Sequence, residues 1–153
     1  MSVVETRMDI PAEYSVSVFG HFDEYVKKIE KVLKVTIIAR DSEVKILGSE
    51  TGVKHASKVL SNLLELAKRG NTITEQNVDY ALSLCLEEKE DALLEIDDEI
   101  VCRTITGKPI KPKTLGQKNY VEQIRNKMIV FGLGPAGTGK TYLAMAMAIQ
   151  AFK

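Results

Sequence analysis

The residues best suited to chemistry form one glycine-rich stretch near the end of the 153-residue chain. It reads Gly134-Pro135-Ala136-Gly137-Thr138-Gly139-Lys140-Thr141 and fills the pattern G-x-x-x-x-G-K-[ST]. Glycines let successive backbone N–H groups turn toward phosphate oxygens, and the N-terminus of a following helix adds a favourable potential. In this pattern Lys140 reaches the β- and γ-phosphates, and the hydroxyl of Thr141 binds Mg²⁺. The stretch therefore predicts a site for a nucleoside triphosphate and Mg²⁺.

The residues on either side of this loop support that prediction. Met128–Phe131 is a short apolar run typical of a buried parallel strand, and Tyr142–Ile149 is rich in strong helix formers. The alternative is a glycine-rich turn that binds nothing. Only residues up to Lys153 follow the loop, whereas such domains need further βα units, including the strand with the acidic Mg²⁺ ligand. We therefore expect the chain to be the front part of a larger ATPase.

Composition excludes few classes of function. The 21 basic and 21 acidic residues balance, so that any nucleic-acid surface must be local. Cys85 and Cys102 form no CxxC pair, and His21 and His55 are isolated, which favours buried thiols and ordinary histidines over a metal site. No apolar run reaches the length of a membrane span, and the start of the chain does not resemble a signal peptide. The expected location is the cytoplasm.

The front of the chain predicts a small α+β module in the order β-α-β-β-α-α. Apolar residues recur at helical spacing in three segments, and β-branched residues cluster in a hairpin. The predicted elements are a strand at Tyr14–Phe19, a turn at Gly20–Asp23, a helix at Asp23–Lys34, strands at Val35–Arg40 and Val44–Leu47, a helix capped by Ser49 or Thr51 that stops before Gly70, a helix capped by Thr74, and a charged extension at Glu87–Asp91.

The remainder of the chain contains fewer regular patterns. Leu93–Glu99 is interpreted as a linker or helix end rather than an Mg²⁺-binding strand, because such a strand follows the phosphate loop. Proline and glycine predict an extended connector at Thr104–Thr114, and helical spacing resumes at Gln117–Arg125. Because the strand at Met128–Phe131 has no partner strand in the sequence, we expect little protected structure beyond residue 91.

Two blocks of sequence resemble the PhoH-like ATPases, a family named for phosphate-starvation-inducible members. The first extends from Thr104 to Tyr120 and includes Gly107-Lys108-Pro109-Ile110-Lys111-Pro112-Lys113-Thr114 and Gly116-Gln117-Lys118. The second extends from Phe131 through the phosphate loop to Ala144. The resemblance implies an ATPase domain similar to the core of superfamily-one helicases, with ATP and Mg²⁺ as cofactors. It also implies a link to RNA metabolism.

The resemblance extends to two other features. Helicases place a glutamine before the phosphate loop, where its amide pairs with adenine, and Gln117 is in a suitable position. The front module resembles a KH-like domain, which grips nucleic acid with a G-x-x-G loop between two helices. The best candidate here is Gly20–Asp23, but Asp replaces the last glycine and the predicted loop follows a strand. The helix after it carries a set of lysines that could form a local basic face, namely Lys27, Lys28, Lys31 and Lys34. RNA binding and protein docking are both open for this module.

The sequence thus predicts a KH-like α+β module at residues 1–90, a linker at 91–112 and the truncated start of an α/β P-loop, helicase-like ATPase domain at 113–153. The intact protein is expected to bind and hydrolyse ATP, whereas this chain by itself is expected to be inactive. RNA and a homo-oligomeric assembly remain candidate partners, and no membrane is expected. The alternatives are a non-enzymatic RNA-binding or docking fragment and a small-molecule kinase, since kinases also use this loop.

Overall fold

A computed structural model of the chain describes residues 3–87 and 92–153. The chain divides into a first unit, Met1–Asp91, and a second unit, Ala92–Lys153. Apart from Glu87, the charged extension predicted at Glu87–Asp91 lies outside the described residues. Within the described part of the chain, no helix is both long enough and apolar enough to cross a membrane.

The first unit is an α+β fold built on a three-stranded antiparallel sheet. The strands are β1 (Val4–Asp9), β2 (Thr36–Arg40) and β3 (Glu43–Gly48), in the spatial order β1-β3-β2. Ile46 of β3 is fully buried and lies opposite Thr6 of β1 and Ile37 of β2. The helices are α1 (Ala12–Phe19), α2 (Glu24–Leu33), α3 (Glu50–Lys68) and α4 (Glu75–Leu86). Apolar side chains from α1, α2, α3 and α4 supply most of the core.

The start of the first unit differs from the sequence-based prediction. The strand predicted at Tyr14–Phe19 is wrong, because these residues form the end of helix α1, and the true first strand is β1. Val18 and Phe19 are adjacent and both buried, which a helix permits because neighbouring side chains lie only about 100° apart around its axis. A strand would send them to opposite faces. Strand β1 pairs with β3, and its alternate residues Val4, Thr6 and Met8 are half-buried.

The other elements predicted for the first unit are confirmed within one or two residues. Helix α2, strands β2 and β3, and helix α4 lie where the apolar spacing placed them. Ser49, rather than Thr51, caps α3, since its side chain accepts a hydrogen bond from the backbone N–H of Gly52 at 3.2 Å. Thr74 caps α4, and its backbone N–H donates to Asn77 Oδ1 at 3.0 Å.

The second unit contains three helices and a short β-hairpin in its described residues. Its helices are α5 (Ala92–Asp97), α6 (Leu115–Asn126) and α7 (Lys140–Phe152), and the hairpin pairs β4 (Cys102–Arg103) with β5 (Pro109–Ile110). An apolar core joins the hairpin to α6 and α7, and its members are Val101, Val121, Leu143, Ala146 and Met147. The helix predicted at Gln117–Arg125 is confirmed, and α5 agrees with the helix-end interpretation of Leu93–Glu99.

Two predictions for the elements of the second unit are wrong. The connector at Thr104–Thr114 contains strand β5, which is regular because its pairing with β4 satisfies the backbone on one edge. No strand forms at Met128–Phe131, since no described strand pairs with this segment. The described residues of this unit therefore form no parallel sheet. The prediction of little hydrogen-exchange protection beyond residue 91 stays a prediction, and the apolar core around Val121 and Leu143 lies in this part of the chain.

Candidate phosphate-binding site

The glycine-rich loop lies directly before helix α7, and its backbone explains two of its glycines. Gly137 has φ of +77° and Gly139 has φ of +81°, in the left-handed region that a residue with Cβ adopts only at a cost. Gly139 is also the N-cap of α7, and its carbonyl accepts the hydrogen bond from the N–H of Leu143 at 2.9 Å. The first backbone N–H groups of α7 therefore follow the loop without intrahelical partners, as an anion-binding helix N-terminus requires.

The side chain of Lys140 folds back over this loop. Its Nζ donates to the carbonyl oxygens of Gly134 at 3.0 Å and Pro135 at 2.6 Å, and to Oγ1 of Thr138 at 2.9 Å. These three bonds use the full donor capacity of an ammonium group. The hydroxyl of Thr138 in turn donates to the carbonyl of Pro135 at 3.0 Å. The cation is thus positioned against the loop, where an incoming phosphate could exchange with neutral carbonyl oxygens.

Gln117 approaches the same loop from helix α6. Its Nε2 donates to the carbonyl of Thr138 at 3.1 Å, and its Oε1 accepts from the backbone N–H of Lys113 at 2.6 Å. Its own backbone N–H donates to Oγ1 of Thr114, the N-cap of α6, at 3.2 Å. The sequence carries a signal for this arrangement, Thr114-x-x-Gln117, which is the spacing of a capping box; here the glutamine bonds the residue before the cap.

Packing between α6 and α7 sets the distance from Gln117 to the loop. Val121 lies one helical turn after Gln117, and Leu143 lies one turn after Gly139, and both are almost completely buried in the core of the second unit. The remaining loop residues are exposed, including Ala136 and Gly137 at the turn. The loop is therefore anchored at its helical end and open to solvent at its turn.

Thr141 is the second residue of α7, and its side chain is exposed. A hydroxyl is a suitable oxygen ligand for Mg²⁺, which usually keeps several waters and binds substrate phosphates with few protein groups. No cluster of three or more His, Cys, Asp or Glu side chains suited to a metal occurs among residues 3–87 and 92–153. The exposed Thr141 hydroxyl thus suits the role of a single protein ligand to a magnesium ion.

The second candidate, the loop Gly20–Asp23, joins helices α1 and α2. The interpretation that it follows a strand is therefore wrong, because α1 replaces that strand. Gly20, Phe22 and Asp23 all have positive φ, and the Phe22 ring is 92% exposed. Nζ of Lys27 donates to the carbonyl of Phe22 at 2.8 Å, so the first lysine of α2 braces the loop.

Lys28 does not belong to the free basic face predicted on α2. Its ammonium forms ion pairs with Asp79 and Glu75 of helix α4, at 2.5 and 2.7 Å. Hydrogen bonds to Asp79 and then to Glu75 raise the pKa of Lys28 above its usual value, so the group stays charged while paired. Lys28 therefore connects two helices, whereas Lys31 and Lys34 remain exposed.

Comparison with known proteins gives a consistent result. A profile of the family described as PhoH-like protein matches residues 109–153, which include Gln117 and the whole loop. PhoH-like proteins of Bacillus subtilis and Mycobacterium bovis are each 36% identical to this chain, over 91% and 98% of its length respectively. A PhoH-like protein of Synechocystis is 25% identical over 99% of the chain. No solved structure matches the chain significantly.

These relatives are longer proteins. The chain spans 44%, 42% and 46% of the Bacillus, Mycobacterium and Synechocystis proteins, that is, less than half of each. Within that span the similarity covers both units and includes the Lys140 loop, the Gln117 helix and the hairpin before it. The chain belongs to the PhoH-like protein family.

Proposed function

We propose that this chain binds ATP at Gly134–Thr141 and that the whole protein hydrolyses it. The observation that carries the proposal is the position of the Lys140 ammonium, which lies on the carbonyls of Gly134 and Pro135 at the N-terminus of α7. A lysine held there, beside two glycines with positive φ, suits the phosphates of a nucleotide. Membership of the PhoH-like family favours this function over a small-molecule kinase and over a non-enzymatic fragment.

Each residue would have a distinct role in the complex. Backbone N–H groups from Gly137 to Thr141 would surround the phosphates, and Lys140 would exchange its loop carbonyls for β- and γ-phosphate oxygens. The Thr141 hydroxyl would be a ligand of the magnesium ion, which neutralises phosphate charge when it is bound. The Gln117 amide would turn from Thr138 toward adenine, since it offers both a donor and an acceptor.

Binding and hydrolysis are separable parts of this proposal. The described residues contain the phosphate loop and the Thr141 hydroxyl but no cluster of acidic side chains near them. We therefore assign nucleotide binding to this chain and ATP hydrolysis to the whole protein, in which further residues would orient water. Turnover by the whole protein and binding by this chain can be measured independently.

Titration of the chain with a fluorescent ATP analogue tests the binding step. We expect saturable, Mg²⁺-dependent binding that Lys140→Ala weakens by at least tenfold. Lys127→Ala is the matched control, because Lys127 is an exposed lysine at the end of α6 and outside the loop. Equal affinities in Lys140→Ala and the unmodified chain would contradict the proposal.

A second function, single-stranded RNA binding by the first unit, is supported by one observation. The loop Gly20–Asp23 joins two helices, which is the arrangement that a KH-like clamp requires. Lys27 and Lys31 lie on the helix that follows the loop, and both are exposed. The carboxylate of Asp23 acts against such binding because it repels phosphate. We propose RNA as the ligand of the loop Gly20–Asp23 and helix α2. If the first unit does not bind RNA, protein docking becomes the favoured role of this surface.

A further inference from the structure

The segment between Glu99 and Glu122 contains basic residues and no acidic residue. The chain as a whole is electrically balanced, so this segment is a local excess of positive charge rather than a reflection of the composition. We call residues 100–121 the basic segment. Its cations are Arg103, Lys108, Lys111, Lys113 and Lys118.

The hairpin of β4 and β5 presents part of this charge on one face. Cys102 and Ile110 are paired across the hairpin, and both pack against the core of the second unit. Arg103 is paired with Pro109, and because strand residues alternate, this pair lies on the opposite, exposed face. The hairpin is therefore anchored by one face and free on the other.

Hydrogen bonds hold the tip of the hairpin, residues Thr104–Lys108, in a defined shape. The N–H of Thr104 donates to the carbonyl of Lys108, and the N–H of Gly107 donates to the carbonyl of Thr104, both at 2.9 Å. Nη1 of Arg103 donates to the carbonyl of Gly107 at 3.1 Å, which fixes the guanidinium beside the tip. At the end of this structured turn, the side chain of Ile105 is fully exposed.

The cations differ in how freely they can bind a ligand. Lys111 is paired with Asp97 at 2.8 Å, so its charge is already compensated. The ammonium groups of Lys108 and Lys113 are exposed and have no ion pair in the described part of the chain. Arg103 uses Nη1 toward Gly107 and keeps further N–H groups for a ligand. Arg103 and Lys108 flank the hairpin tip that carries the exposed Ile105, and Lys113 follows β5 along the chain. Cations next to an apolar side chain suit a ligand with both a charged backbone and apolar faces.

We propose that this hairpin is a binding element for single-stranded nucleic acid. Arg103, Lys108 and Lys113 contact phosphates, and Ile105 inserts against or between bases, as apolar side chains do when they enter base steps. A purely acidic peptide would satisfy the cations but would leave Ile105 without a partner. Every nucleotide carries both a phosphate and an apolar base face, so nucleic acid fits the whole set better. The proposal does not depend on ATP binding, because its residues lie outside the phosphate loop Gly134–Thr141.

Fluorescence anisotropy with a short labelled oligouridylate, without nucleotide and at several salt concentrations, tests the charge contacts. Each lost phosphate contact on a single strand lowers the slope of log K against log salt by about 0.7. We expect Lys108→Glu with Lys113→Glu to weaken binding by at least tenfold and to lower this slope by about 1.4. The matched control, Lys127→Glu with Lys153→Glu, makes the same change in charge outside the segment and should keep the slope.

Ile105→Ser tests the apolar contact without disturbing the fold, because Cys102 and Ile110 still anchor the hairpin. We expect weaker binding with an unchanged salt slope. An oligonucleotide containing 2-aminopurine should brighten, as its bases unstack, with the unmodified chain and not with Ile105→Ser. Unchanged affinity and slope in the double lysine variant would overturn the proposal. Competition by polyglutamate equal to that by oligouridylate, with no effect of Ile105→Ser, would instead indicate an acidic protein partner.

Discussion

Nε2 of Gln117 donates a hydrogen bond of 3.1 Å to the carbonyl of Thr138, and so connects helix α6 to the phosphate loop. The same amide accepts from the N–H of Lys113, so both of its polar atoms are engaged. If it turns to adenine when ATP binds, the contact with Thr138 must break. Recognition of the base and the conformation of the loop would then be coupled through one side chain.

Gln117→Ala should lower the preference for ATP over GTP. Loss of a two-point contact with adenine, at about 1 kcal/mol for each hydrogen bond, corresponds to a reduction of about tenfold or more. Competition of each nucleotide against a fluorescent ADP analogue measures the preference. Gln123→Ala is the control, because Gln123 lies on the same helix and its side-chain amide donates to Asn119 of that helix. Equal loss of affinity for ATP and GTP would mean that Gln117 only supports the loop.

Lys140→Ala in the whole protein should reduce ATP turnover by about 10²–10³, the typical effect of losing one electrostatic group from a transition state. Lys140→Arg should not restore activity, because the guanidinium is planar and differs in reach. Affinity for ADP should fall less than turnover. Thr141→Ala should lose Mg²⁺-dependent turnover in parallel. Steady-state phosphate release measures the turnover of the three variants, and competition with a fluorescent nucleotide measures their affinity for ADP. Normal turnover by Lys140→Ala would exclude this loop as the catalytic site.

Gly139→Ala should weaken nucleotide binding, because alanine disfavours the backbone conformation that the loop adopts at this position. Its φ of +81° costs a residue with Cβ about 1–2 kcal/mol, and the new Cβ would lie 3.2 Å from Nε2 of Gln117. We expect about a tenfold loss of affinity. Gly116→Ala is the matched control in α6, where the nearest atom to a new Cβ is 3.9 Å away. It should keep the affinity and stabilise the chain by about 0.5–1 kcal/mol. Unchanged affinity in Gly139→Ala would show that the loop adopts another conformation on binding.

Leu143→Ala should destabilise the second unit by about 2–5 kcal/mol, because it opens a cavity in the core that holds α7 against α6. Hydrogen exchange of the amides in these two helices measures the effect. Met145→Ala on the same helix should change little, since Met145 is exposed. If α6 and α7 exchange rapidly even in the unmodified chain, this core does not hold the loop.

Lys27→Glu with Lys31→Glu should weaken RNA binding by the first unit and lower its salt slope by about 1.4. Lys28 is left unchanged, because its ion pairs with Glu75 and Asp79 join α2 to α4. The control is Lys54→Glu on helix α3 with Lys68→Glu at its end, both exposed. Retained binding in the Lys27 and Lys31 variant, with loss in the hairpin variant at Lys108 and Lys113, would assign RNA to the second unit alone.

The sequence by itself determined the features that depend on residue type at fixed spacing. The glycine loop and the helix after it followed from the motif, since two of its glycines have positive φ and Lys140 begins α7. Helices α2, α3 and α4 followed from their apolar spacing, and Ser49 and Thr74 marked two of the helix starts. These features are local, because the groups that satisfy one another lie within a few residues in the chain.

Only the tertiary structure decided the features that depend on distant partners. Tyr14–Phe19 alternates like a strand but forms a helix, because Val18 and Phe19 must both face the core. Met128–Phe131 has the composition of a strand but no described strand to pair with, whereas Pro109–Ile110 became one through its pairing with Cys102–Arg103. The contact between Gln117 and Thr138 spans 21 residues and exists because Val121 and Leu143 pack α6 against α7. Backbone pairing and burial are satisfied by whichever segments the fold brings together, and residue spacing alone does not specify those segments.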